Sequence, residues 1–244
     1  IVVDDESRPP AAQRNEDICH GRPGCRYLHV KRPLGAPAAR NRGLAESRAR
    51  YVWFMDDDDY ASQRTVSDVV ESLRSNPTPD SVILLPRDLV FGGVRIRHVV
   101  PVDEPNKCGR YRAPGPEVTT SCAVFLRRVL EEVGGWDERM RSLQDTGLFL
   151  RVARVATFRC LQTEPLIVDV SSPRRISTRL CSTQIGKIQF LRKHWRVLSR
   201  RRKLRYILSI LLFAPAVKRF RLWAKVVSGR RRCWGPVALS PDQP

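Results

Sequence analysis

Residues 51–59, Tyr51-Val52-Trp53-Phe54-Met55-Asp56-Asp57-Asp58-Asp59, set a short apolar run directly against four consecutive carboxylates. The apolar run has the length and composition of a strand buried on both faces of a sheet. Strand ends in open α/β sheets are where ligands collect. Adjacent carboxylates repel one another, and in a half-buried crevice they would tend to protonate. A divalent cation relieves that repulsion, and hard cations such as Mg²⁺ and Mn²⁺ prefer oxygen ligands. The competing reading of this segment is a solvated acidic loop, the usual fate of a charge run.

Strand and helix patterns alternate outward from this stretch. Upstream, Ile1-Val2-Val3 reads as a strand and residues 11–18 as a short helix. Tyr27–Val30 reads as a second strand. A helix follows from Gly35 to about Arg48, with Pro37 in its first turn. Downstream, Ser62 caps a helix to about Arg74, stopped by Asn76-Pro77, and Ser81–Leu85 is a strand. Val90-Phe91-Gly92-Gly93-Val94 carries a hairpin signal. Pro101–Pro116 has little periodicity and reads as a loop. Thr119–Leu126 is strand-like, and the next helix stops at Gly134-Gly135. Leu143–Ala153 is helical and Leu166–Val170 is a last strand. This order predicts an α/β domain over residues 1–173 with a mostly parallel sheet flanked by helices and a local β insertion.

Charge divides the chain. The net charge is +19 over 244 residues, yet residues 1–173 hold 25 Lys/Arg against 24 Asp/Glu. Residues 174–244 hold 19 Lys/Arg against Asp242 alone. This basic tail reads as helical over Thr183–Arg202. Tyr206–Val217 is then apolar, broken by Pro215, and flanked by Arg and Lys on both sides. That run is short of the roughly twenty residues a bilayer span needs. Its composition fits an interfacial segment on an anionic membrane surface. Packing on the domain or on a partner subunit is the alternative. Nucleic acid is the disfavoured partner, because regularly spaced stacking aromatics are missing. The seven cysteines are odd in number and form no Cys-x-x-Cys pair, which predicts a reduced, cytoplasmic chain without a zinc site.

Three segments carry the chemistry. The first is Val2-Val3-Asp4-Asp5-Glu6-Ser7. The second is Gly35-Ala36-Pro37-Ala38-Ala39-Arg40-Asn41-Arg42-Gly43-Leu44, leading into residues 51–59. The third is Val133-Gly134-Gly135-Trp136-Asp137-Glu138, followed by Gln144-Asp145-Thr146-Gly147-Leu148-Phe149-Leu150-Arg151. In order and spacing they resemble glycosyltransferase family 2 over about residues 1–170. The resemblance implies a GT-A fold and inverting sugar transfer from a nucleotide-diphosphate sugar, assisted by Mn²⁺ or Mg²⁺.

The resemblance also implies roles. Asp4 and Asp5 match the acidic pair that reads the nucleotide base, and Arg40-Asn41 the pair placed near the nucleotide. A planar guanidinium suits phosphate or a base face. Asp56 and Asp58 match the Asp-x-Asp element, with Asp56 at the ribose or a metal-bound water and Asp58 on the metal. Four Asp in a row leave Asp57 or Asp59 able to share the work. Asp145 matches the catalytic base, which removes a proton from the acceptor hydroxyl. Trp136 reads equally as a site floor or a core residue.

The chain departs from the family pattern in two places. It opens at Ile1 inside a strand pattern, so the family's first strand, which lines the nucleotide pocket, is expected upstream of a truncated chain. Gln189-Phe190-Leu191-Arg192-Lys193-His194-Trp195 does not match the Gln-x-x-Arg-Trp of processive members, which favours transfer of single sugars. The basic tail then points to a glycan or lipid-linked acceptor in surface polysaccharide synthesis, at the inner face of the membrane. The rival readings are a non-catalytic α/β scaffold with a tail that binds anionic membrane or nucleic acid, and a nucleotidyltransferase. The latter lacks a Gly-rich, Lys-containing loop.

Overall fold

A computed structural model describes residues 1–75, 81–101, 118–171 and 180–213. Most of the expected loop Pro101–Pro116 and the end of the apolar run, residues 214–217, lie outside these. The chain divides into two units. The first is Ile1–Glu138 with Leu148–Ser171, and the second is Arg139–Gly147 with the chain from Ser172 onward.

In the first unit the elements run β1 (Val2–Asp5), α1 (Ala11–His20), β2 (Tyr27–Val30), α2 (Ala36–Glu46), β3 (Tyr51–Trp53), β4 (Asp59–Tyr60) and α3 (Gln63–Ser75). They continue with β5 (Ser81–Leu84), β6 (Arg87–Phe91), β7 (Val94–Val99), β8 (Ala123–Leu126) and α4 (Arg127–Glu132). Helix α5 (Gln144–Val152) begins in the second unit and ends in the first, and β9 (Thr157–Cys160) and β10 (Leu166–Asp169) close the unit. Among the described residues three sheets form: β1-β2, β4-β10-β6-β7 and β3-β8-β5-β9.

The α/β class stands, and the sheets are mixed. β1 and β2, β5 and β9, and β6 and β10 pair in parallel. β8 runs antiparallel to both β3 and β5, and β4 runs antiparallel to β10. The β6–β7 pair is antiparallel because its turn is Gly92-Gly93, with φ of 57° and 81°. A two-residue turn of that handedness can only return the chain beside itself.

The core follows from the buried runs. Val82, Ile83 and Leu84 on β5 and all four residues of β8 are buried. Each Val, Ile, Leu or Phe among them contributes about 1.5–3 kcal/mol by leaving water. Phe54 lies edge-on to Phe125 and to Trp136, with centroids 6.2 and 5.4 Å apart. Phe125 continues the row to Phe149 at 5.9 Å, and Phe149 to Phe158 at 6.0 Å. Edge-on and offset pairs add about 0.5–1.5 kcal/mol each beyond area. Trp136 is only 2% exposed, which places it in the core rather than on a site floor.

In the second unit, α6 (Leu180–His194) and α7 (Arg200–Phe213) are separate helices, where the sequence suggested one helix to Arg202. Ser199 stops the continuation: its Oγ accepts from Arg202 N at 3.3 Å, capping α7. The two helices meet through Phe190 and Tyr206, 5.2 Å apart, and through Lys187 Nζ donating to Ser209 Oγ at 2.6 Å.

Candidate functional site

Strand β3 ends at Trp53, three residues before the first carboxylate, Asp56, and a buried serine fixes the turn between. Ser121 lies in a single 3₁₀ turn, Thr120–Cys122, ahead of β8 and is fully buried. Its carbonyl accepts from Trp53 Nε1 at 2.7 Å, and its Oγ accepts from Asp56 N at 3.0 Å. Asp59 N then donates to Asp56 O at 3.1 Å, closing a tight turn into β4. One oxygen each of Asp56, Asp58 and Asp59 lies within 4.8 Å of the other two. Asp56 and Asp59 are half-buried and Asp58 is exposed. Asp57 is exposed and is not one of the three. Of the four aspartates, Asp56, Asp58 and Asp59 are the ones whose oxygens converge, and they form the candidate metal-binding set. Three convergent carboxylates without His or Cys suit Mg²⁺ or Mn²⁺, which take oxygen ligands and keep waters or phosphate oxygens for the rest.

Arg40 leans on this cluster from α2. Its Nη2 donates to Asp56 Oδ1 at 2.5 Å, and its guanidinium lies 4.6 Å from the centre of the Trp136 ring. The pair is only 17% and 34% exposed, so it is less screened than a surface ion pair. The core row of aromatics therefore ends under Arg40, the cation paired with Asp56. Trp136 Nε1 is buried with no acceptor among the described residues.

Asn41, the next residue, does a different job. Its Oδ1 accepts from Trp136 N at 2.8 Å, and its Nδ2 donates to Trp136 O at 2.9 Å and to Glu138 Oε1 at 2.8 Å. From the other side, Arg151 Nη1 donates to the carbonyls of Val133 and Gly135, at 2.5 and 2.8 Å. Burial pulls the Arg151 guanidinium below its ordinary range, and the charge of Asp137 opposes that. Gly135 has φ 61°, and a Cβ there would sit 2.7 Å from Asn41 Oδ1. Both the backbone and the space require glycine.

The acidic pair after β1 is bound by protein donors. Asp4, 5% exposed, accepts from Tyr27 OH at 2.7 Å, Ser7 N at 2.7 Å and Asn15 Nδ2 at 3.1 Å. Burial alone would raise its pKa, but the hydrogen bonds, Tyr27's foremost, outweigh that and hold it down at about 2. Tyr27 is pushed up to about 12 by burial and by the same bond. Asp5 accepts from Leu34 N and Gly35 N at 2.7 and 2.8 Å, ordering the lead-in to α2. Asp5 and Arg40 thus act on the same helix, one before its first turn and one on its second. Glu6, directly after the pair, has φ 68°. A non-glycine residue held there is strained, and such strain clusters at functional sites.

Asp145 belongs to the second unit, on the first turn of α5, and is half-buried. Its Oδ1 accepts from Thr146 N at 2.7 Å. Leu143, two residues before it, has φ 58°. The segment that carries Asp145 is held by α6. Gln189 Oε1 accepts from Arg141 N at 3.0 Å, and its Nε2 donates to Arg139 O at 2.8 Å. Tyr206 on α7 is raised by burial and, in the same sense, by the charge of Asp145.

Asp56, Asp58 and Arg40 are therefore brought together within one unit, while Asp4 and Asp5 act through the elements around them. Sequence reasoning passed over Ser121, Tyr27, Asn15 and Gln189. The first three carry no motif. Gln189 stood in plain view as the Gln of the imperfect Gln189–Trp195 match.

Residues 1–134 match the family model described as Glycosyl transferase family 2. No curated protein matches the chain. Among solved structures, S. aureus TarS 1-349 in complex with UDP-GlcNAc superposes with a TM-score of 0.64 at 12% identity, covering 93% of this chain and 71% of that one. The same TarS fragment in complex with UDP gives 0.62 at 17% identity, covering 94% and 71%. Full TarS from S. aureus gives 0.58 at 17% identity, over 94% of this chain and 43% of that one. At such identities the likeness to TarS is one of fold.

Proposed function

The chain belongs to glycosyl transferase family 2 and is a glycosyltransferase with the GT-A fold, and on that premise we propose that it transfers a single sugar, with inversion, from a nucleoside-diphosphate sugar to a hydroxyl. The observation that carries this reading is the three-carboxylate cluster of Asp56, Asp58 and Asp59 with Arg40 paired to Asp56. Convergent carboxylates beside a fixed guanidinium suit a diphosphate bridged by a divalent cation. The TarS complexes with UDP-GlcNAc and UDP make a UDP-sugar the first donor class to test.

Each residue then has a task. Asp56, Asp58 and Asp59 would hold a divalent cation, and when bound it supplies neutralisation of the diphosphate charge. Arg40, fixed on Trp136, contributes a permanent cation beside Asp56 for the donor's phosphates or base. Asp4 and Asp5 are assigned to the nucleoside end. For Asp4 the three donors on its carboxylate support a positioning part, ordering the end of β1. Asp145 is assigned as the base. It takes the proton of the acceptor hydroxyl while that oxygen bonds to the anomeric carbon, and the bond from that carbon to the diphosphate oxygen breaks on the opposite face. Its place at a helix N-terminus favours the ionised form needed to start the step.

The acceptor we propose is a glycan or lipid-linked saccharide of surface polysaccharide synthesis, met at the inner face of an anionic membrane, where the basic C-terminal segment would hold the enzyme. The test is calorimetry of UDP, GDP and dTDP with and without Mn²⁺, on the chain and on Asp58→Ala, followed by transfer assays with Asp145→Asn. Metal-dependent binding of one nucleotide, lost in Asp58→Ala, and transfer lost in Asp145→Asn with donor binding intact, is the expected result. Donor binding indifferent to both metal and Asp58, or full transfer by Asp145→Asn, overturns the assignment.

A further inference from the structure

Helix α7 presents an apolar stripe that is exposed among the described residues of the second unit. Leu204, Leu208 and Leu212 are 57%, 48% and 71% exposed. Spaced four apart, they fall on one face of the helix. The opposite face is engaged: Tyr206 and Ser209 meet α6, Lys203 Nζ lies 4.9 Å above the Trp195 ring, and Ile210 is 2% exposed. The stripe is therefore not a core face in excess but a second, outward one.

Its charge surroundings identify the occupant. The first turn of α7 is Arg200-Arg201-Arg202-Lys203, with no acidic residue. Cations at a helix N-terminus oppose the helix dipole, so this placement costs the helix stability. From Leu180 to Phe213 the chain carries no Asp or Glu at all. Arg201 lies one turn before Leu204 on the leucine face, and Arg205 one turn before Leu208; both are exposed. An anionic ligand would offset the dipole cost, and an apolar one would cover the leucines. A bilayer with acidic headgroups is both at once. No helix among the described residues is long and apolar enough to cross it.

We infer that α7 lies in the surface of an anionic bilayer, with Leu204, Leu208 and Leu212 among the acyl chains and Arg200, Arg201 and Arg205 on the headgroup phosphates. The charged first turn sits at headgroup level and the Leu212 end reaches deepest. This deepens the membrane association proposed above and is independent of the transfer chemistry, since vesicle binding is read without substrate.

The test is co-sedimentation of the full chain with vesicles of phosphatidylcholine alone or mixed equally with phosphatidylglycerol. The wild type is expected to bind the acidic vesicles at least about tenfold more tightly, with part of the binding surviving 0.5 M salt. The triple variant Leu204→Ala, Leu208→Ala, Leu212→Ala keeps every charge and the best helix former at each site. It is expected to lose about a hundredfold in affinity and all of the salt-resistant part. Circular dichroism and the thermal transition verify that it is folded. Replacing Arg200, Arg201 and Arg205 by Gln is expected to abolish the preference for acidic lipid. Three results overturn the inference: a folded triple variant that binds like the wild type, equal binding to neutral and acidic vesicles, or duplex DNA displacing the vesicles with a steep salt dependence that the leucine changes leave intact.

Discussion

Gly186, in the middle of α6, sets a sharp test of whether that helix positions the candidate base. A Cβ at this position would lie 2.7 Å from Ser142 N and 2.8 Å from Ser142 Cβ, and closer still to its Oγ. The hydroxyl can rotate away, but the backbone nitrogen cannot. Ser142 is 8% exposed, and its neighbours are tied to the same helix, Arg141 N and Arg139 O both bonding Gln189. Relief requires the 139–147 segment to shift against α6 by several tenths of an ångström or more. Overpacking of this kind costs about 1–3 kcal/mol. Against it stands the helix propensity gained on Gly→Ala, about 1 kcal/mol. We expect the clash to win in Gly186→Ala. Asp145 sits three residues beyond Ser142, and a misplacement approaching 1 Å in a catalytic group costs up to about a hundredfold in rate. The expected result is a kcat reduced about ten- to a hundredfold, a donor KM within about twofold of wild type, and faster amide exchange over residues 139–147. Gly43→Ala on α2 is the control. Its Cβ would meet Val3 Cγ2 at 3.3 Å, a side-chain methyl that can give way. That variant is expected to be neutral or up to about 1 kcal/mol more stable. If Gly186→Ala matches the control in kcat and thermal transition, α6 does not position Asp145.

Three further outcomes are expected. Asp4, held at about 2 against an ordinary 3.8, contributes stability that is present above pH 4 and disappears as pH falls through 2; the gap is worth about 2 kcal/mol. Tyr27→Phe removes its foremost donor, so stability at pH 7 drops by about 1–3 kcal/mol and the acid transition moves to higher pH; urea titrations from pH 7 to 2 that show an unmoved transition would contradict this. Asp57→Asn is expected to leave Mn²⁺-dependent nucleotide binding within about twofold, whereas Asp58→Asn and Asp59→Asn each weaken it by about tenfold or more, as calorimetry would show. Gly135→Ala, forced into φ 61° and against Asn41 Oδ1, is expected to cost about 1–3 kcal/mol, and a second change, Asn41→Ala, is expected to recover only the steric part.

Much of the fold was legible because its signals are local. Tyr27–Val30 was bounded as it stands, Ser62 caps α3 through Thr65 N at 3.1 Å, and Gly92-Gly93 makes its turn. Strand β4 was not legible, because Asp59-Tyr60 is two residues long and is a strand only through its partner β10. β9, Thr157–Cys160, carries an Arg in a run of four and is recruited by β5. Thr119–Leu126 read as one strand, but its first half folds into the turn that lets Ser121 reach Asp56. At the site, the acidic residues announced themselves by type and spacing. The groups that hold them come from distant points in the chain, Tyr27 to Asp4 and Gln189 to Arg139. No periodicity records such pairings, since they depend on tertiary packing alone.

The C-terminal segment reads in sequence as an appendage, and its composition invites the simple experiment of cutting it off. The geometry makes that experiment ambiguous. Cutting at residue 173 would remove Gln189 and Gly186, which seat Arg139–Gly147. A truncated chain that lost transfer would report a displaced Asp145 as readily as a lost membrane contact. The outward and inward faces of α7 separate the two causes. Leu204, Leu208 and Leu212 point away from α6, while Tyr206 and Ile210 pack inward. Alanines at the three leucines should therefore lower transfer to acceptors in acidic vesicles and leave transfer to a water-soluble acceptor within about twofold. Tyr206→Ala, which removes its packing against Phe190, should depress both. Equal loss on both acceptors with the leucine variant would mean that α7 serves the second unit's packing alone.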